Sequence, residues 1–174
     1  MKASPIVTRT PAGIADPRAS PPLTRRAVFL DLEDSSCVEH VSWMLEHLEL
    51  GTPYPQTRLT AVGNWGAIGQ EVAGLLSAYG AELLHATPAC GVKAWRHLRI
   101  AVAAGVWLGS ARPCDILEVI TDDQALDAIG DVAAGLGVNF RRLSCRALAE
   151  ANKIHAAESG RDTRPGHRPT TDRR

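Results

Sequence analysis

No apolar run in this chain approaches the roughly 18 residues that a membrane-spanning helix requires, so no membrane segment is expected. An apolar h-region is also lacking near the N-terminus, and no secretory signal is expected. The four cysteines, Cys37, Cys90, Cys114 and Cys145, form no C-x-x-C pair. Scattered single cysteines act mostly as small buried hydrophobes, which points to a reducing, cytoplasmic setting and away from a zinc site. None has a base partner close by in sequence, and this argues against a cysteine nucleophile.

Net charge is lacking too, because 19 basic and 19 acidic side chains cancel over 174 residues. The cancellation hides an asymmetry. Lys2, Arg9, Arg18, Arg25 and Arg26 stand against Asp16 in residues 1–26, and five arginines stand against Glu158, Asp162 and Asp172 in residues 158–174. The middle is acidic. Basic arms around an acidic centre suit a protein that holds cations in a pocket and meets a polyanion with its ends. Tails that merely solubilise the chain would show the same composition.

What is present is a regular alternation. Residues 1–26 hold Pro5, Pro11, Pro17, Pro21 and Pro22 without an apolar period and read as a disordered tail. Strands are expected at Ala27–Leu32, Arg58–Val62, Ala81–Ala86, Ile116–Ile120 and Val138–Leu143. Between them, Val38, Val41, Met44, Leu45 and Leu48 mark a helix over Cys37–Leu50, and Val72, Leu75, Leu76 and Tyr79 mark a second. Lys93–Leu108 reads as a long helix with Trp95, Leu98, Val102, Val106 and Trp107 on or near one face. A helix through Leu126, Ile129 and Val132, and a last one over Cys145–Ala157, complete a single domain over 27–157, with a tail at 158–174. With right-handed crossovers, this order gives an α/β fold with a mainly parallel five-stranded sheet and helices on both faces.

Two strands end in acids. Ala27–Leu30 delivers Asp31, Glu33 and Asp34, and Ile116–Ile120 delivers Asp122 and Asp123. Capping of the next helix by Asp34 or Ser35 accounts for one acid of the first set, not three; capping by Asp122 or Asp123 is the plain alternative for the second. If the two strands are neighbours, their carboxylates converge at the carboxyl edge, where Mg²⁺ or Mn²⁺ would offset the repulsion. Gly63-Asn64-Trp65-Gly66-Ala67-Ile68-Gly69 has the wrong glycine spacing for a dinucleotide fingerprint. Of the four tryptophans, Trp65, in a loop at a strand end, is the one expected to stack on a base. His97 lies among Lys93, Arg96 and Arg99, basic groups suited to a phosphate backbone.

Taken together, Asp31-Leu32-Glu33-Asp34, Gly63-Asn64-Trp65, Gly91-Val92-Lys93, Thr121-Asp122-Asp123 and the closing Gly137 resemble, in order and spacing, the NYN domain, a branch of the PIN-like nucleases. The resemblance runs over about residues 26–144. It implies a three-layer α/β/α fold and Mg²⁺- or Mn²⁺-dependent hydrolysis of RNA. Asp31 and Asp123 fall on the family's first and third acidic positions and Glu33 on a companion acid. The implied site has Asp31, Asp123 and Asp122 at the metal, Glu33 or Asp34 ordering water, and Asn64, Trp65, Lys93, Arg96 and His97 against the RNA. The pattern also departs from the family. His97 stands at a helix aspartate, Ala103 and Ala125 at two further aspartates, Leu126 at a phenylalanine, and Asp34 at an asparagine. Those losses give the alternative of a catalytically impaired relative that binds RNA or a protein, a second copy of itself included. Asp31-x-Glu33 is also similar to the phosphatase motif of haloacid dehalogenase-like enzymes, which wants an aspartate where Glu33 stands.

Overall fold

The computed structural model describes residues 23–33, 35–50, 56–86 and 94–148. Residues 1–22 of the first tail, the second tail, the Pro53–Pro55 turn, Asp34, the Gly91-Val92-Lys93 segment and most of the helix expected over Cys145–Ala157 lie outside the described residues; 145–148 are helical. The chain runs β1 (Arg26–Asp31), α1 (Val38–His47), β2 (Thr57–Gly63), α2 (Trp65–Ile68), α3 (Gln70–Ala78), β3 (Glu82–His85), α4 (Trp95–Leu108), β4 (Ile116–Ile120), a 3-10 turn at Gln124–Asp127, α5 (Ala128–Gly135) and β5 (Asn139–Leu143).

All five strands are parallel, in the order β3-β2-β1-β4-β5. The sheet is buried on both faces because β1 is apolar at every position from Ala27 to Leu30. Ala27 and Phe29 point to the side covered by α4 and α5, with Ile100, Ala104, Trp107 and Ile129. Val28 and Leu30 point to the side covered by α1 and α3, with Val41, Met44, Leu45, Val72 and Leu76. The result is a three-layer α/β fold.

Three expectations change. Trp65 does not sit in a loop: it opens α2, and Gly63 lets that short helix fold back, since a Cβ there would lie 2.3 Å from Ile68 Cδ1. On α4 the expected stripe divides: Trp95 and Trp107 pack with the core and the other three do not. Ile100, Ala104, Trp107 and Leu108 are buried, whereas Leu98, Val102 and Val106 are exposed. At the N-terminal side, Arg25 and Arg26, grouped by charge with the basic tail, belong to the folded part, and Arg26 begins β1.

Candidate functional site

The strand order reverses between β1 and β4, which pair directly with Leu30 opposite Ile120. In an open parallel sheet this switch point leaves a crevice at the carboxyl ends of the two strands. Asp31 ends β1 there, and the segment 121–123 leaves β4 beside it. The expected convergence of the two acidic strand ends therefore occurs. α4 runs back across β1 and β2, so its first turn reaches the same edge and brings Arg96 and His97 with it.

The Asp31 side chain is only 5% exposed, and both of its oxygens are engaged. Oδ1 accepts from the Arg96 guanidinium, and Oδ2 accepts from Thr121 Oγ1 at 2.7 Å. His97 Nε2 lies 3.2 Å from the same Oδ2. The other ring nitrogen, Nδ1, lies 2.7 Å from Asp123 Oδ2. That nitrogen is buried, and no directed hydrogen bond joins it to the carboxylate. The His97 ring thus spans the two carboxylates, and it is a cation whenever both nitrogens carry hydrogen.

Asp123 also caps the 3-10 turn, its Oδ1 accepting from the Ala125 N–H at 2.8 Å. Capping and site membership turn out to be compatible, because a carboxylate has two oxygens. Thr121, fully buried, ties the arrangement together: its hydroxyl donates to Asp31 and accepts from the Asp123 N–H at 3.1 Å. Sequence reasoning gave Thr121 no role, yet the β1–β4 register sets it opposite Asp31, one step beyond Leu30 and Ile120.

Asp122 turns the other way. Its Oδ1 accepts from Ser144 Oγ at 2.5 Å, and its Oδ2 lies 3.4 Å from Arg146 Nε. It faces a cavity of about 240 Å³, lined also by Asp31, Glu33, His40 and Cys145. Burial, and after it the charges of Asp122, Asp31 and Glu33, push the Cys145 thiol up to about 12. Glu33 is exposed at the rim of that cavity. Asn64 and Trp65 sit at the end of β2, where the Trp65 N–H donates to His85 Nδ1 at 3.4 Å. The Trp65 ring packs against the core, and its Nε1 is buried without a partner. Asp34 and Lys93 lie outside the described residues.

A divalent ion between Asp31 and Asp123 would compete with the Arg96 guanidinium on Asp31 Oδ1 and with the His97 ring, which stands between the two carboxylates. As arranged, basic side chains hold the place that such an ion would take. Among the described residues, no group of three or more His, Cys, Asp or Glu side chains is disposed to hold a metal ion. Nor is any described helix long and apolar enough to cross a membrane.

Fold and site together define a parallel three-layer α/β protein with an acidic pair at its switch point that Arg96 and His97 face. Comparison with models of known protein families finds no match, and no curated protein matches the chain.

Proposed function

We propose that the carboxyl edge binds RNA through its phosphates, as a PIN-like domain of the NYN type in which Arg96 and His97 stand where a cation would. The observation that carries this reading is the linkage Arg96–Asp31–His97–Asp123. Two bare carboxylates would repel a phosphate. Here each already faces a basic side chain, and a backbone phosphate can approach the outer donors of Arg96 with Arg146 at the far side. A second reading, hydrolysis of RNA with Mg²⁺ or Mn²⁺ at Asp31 and Asp123, is favoured by the convergence of those two carboxylates across adjacent strands. It requires Arg96 and His97 to leave Asp31.

A mixed single-stranded and structured RNA pool separates the two. Binding should weaken about fivefold to tenfold between 50 and 200 mM salt, as about two phosphate contacts dictate, and Arg96→Gln should weaken it further. Neither cleavage nor a rise in thermal stability should follow addition of Mn²⁺. Cleavage abolished in both Asp31→Asn and Asp123→Asn, with Mn²⁺ raising the melting temperature of the wild type, establishes the hydrolytic reading instead. Absence of salt-sensitive binding overturns both.

A further inference from the structure

The outward face of α4 carries an observation unrelated to the acidic edge. All the charged and polar side chains of this helix, Arg96, His97 and Arg99, lie in its first five residues. The remaining nine, Ile100–Leu108, are apolar on every side. A helix apolar all round belongs in an interior. Yet Leu98, Val102 and Val106 are 51%, 58% and 73% exposed, and they recur every four residues along one line about 12 Å long. Gly105 lies on the same side with open space around its missing side chain. On α5, packed beside α4, Val132 is exposed as well, and so is Leu136 just after it. Single exposed aliphatics are ordinary, but an uncharged row of them marks an interaction surface.

We infer that this face is the contact between two copies of the chain, with α4 lying antiparallel to its symmetry mate about a two-fold axis near Val102. The pattern is complementary to itself in that register. Leu98 of one copy falls on the Gly105 side of the other, where the absent side chain leaves room. Val106 falls on the aliphatic stem of Arg99. The Arg99 guanidinium then reaches the carbonyl end of the second α4, whose last turn has no basic residue of its own, so the helix dipole is matched as well. Val102 meets Val102 at the axis. A contact of this kind is closed, and it leaves Arg96 and His97, on the other side of α4, free to face Asp31 and Asp123.

Sedimentation equilibrium of the full chain tests it. The wild type should be a dimer. Val102→Glu and Val102→Lys each place like charges against one another, and either should raise the dimer dissociation constant at least about a hundredfold. An equimolar mixture of the two should restore the dimer, because opposite charges then meet at the axis. Circular dichroism should match the wild type in both, since the site is exposed; if either variant loses its spectrum, Val102→Asp and Val102→Arg repeat the comparison at the same axis. A monomeric wild type overturns the inference, including the case in which the chain's own terminal segments cover the face. So does a dimer unaffected by both charges, or a mixture that stays monomeric.

Discussion

β1 and β4 carry acid–arginine contacts at both of their ends, and the ends differ in how completely those contacts are closed. Toward the amino edge, Asp115 is 3% exposed and accepts from the Arg25 and Arg112 N–H groups at 3.0 and 2.8 Å and from the Arg25 guanidinium at 2.7 Å. Burial alone would raise its pKa, but the N–H groups of Arg25 and Arg112 and the Arg25 guanidinium outweigh it and hold the carboxyl below its ordinary value. Arg26 and Glu118 are likewise buried, joined at 2.9 and 2.5 Å, with Arg26 Nη1 donating to the Leu48 carbonyl at 2.8 Å. At the carboxyl edge, by contrast, Asp123 is 36% exposed and His97 Nδ1 has a charge beside it without a directed hydrogen bond. The same residue types make a staple at one end and a surface that can still be approached at the other. Saturation of the carboxylates separates the two roles, not charge.

The sharpest way to break that contrast is to delete a buried carboxylate at the amino edge. Glu118→Ala takes the carboxylate from the buried Arg26 guanidinium and should cost about 3–5 kcal/mol, read as a large fall in the urea midpoint. Asp115→Asn comes next, at about 2–3 kcal/mol, because two backbone N–H donors then face a weaker acceptor. It also carries a pH signature. A folded-state pKa below the ordinary 3.8 gives stability that is fully present above that value and is lost as pH falls through the folded-state value. Urea midpoints measured across the acid range should therefore fall less steeply for Asp115→Asn than for the wild type. Asp31→Asn should cost least, about 1–2 kcal/mol, since the amide still accepts from Thr121 while the Arg96 contact weakens. A cost at Asp31 equal to that at Glu118 would place the carboxyl edge among the staples and remove the distinction.

Much of the fold was legible because its signals are local. β4 is an apolar run broken only by Glu118 and ended abruptly by Thr121 and Asp122, and its boundaries match the expectation residue for residue. The faces of α4 were not. Trp107, in the expected stripe, is in the core, but Leu98, Val102 and Val106 are exposed while Ile100, Ala104 and Leu108 are buried, and because the helix is apolar all round, periodicity offers no contrast with which to choose. Trp65 was expected at a strand end and is there, but the fold-back of Ile68 over Gly63, which makes the turn helical, is a packing event rather than a propensity. The acidic pair was visible as two strand ends. The side chain that bridges it was not, since His97 reaches partners at 31 and 123 that only the strand order brings together.

Cys145 shows what the open end means for reactivity. With its thiol held at about 12 by burial and by Asp122, Asp31 and Glu33, Cys145 stays a thiol at neutral pH and lacks the nucleophilic thiolate. Electrophiles and mild oxidants will find it inert while those carboxylates stay unscreened. Positive charge delivered into the cavity would offset the carboxylates' share of that suppression, which makes the sulfur a built-in gauge of what the acidic edge is holding.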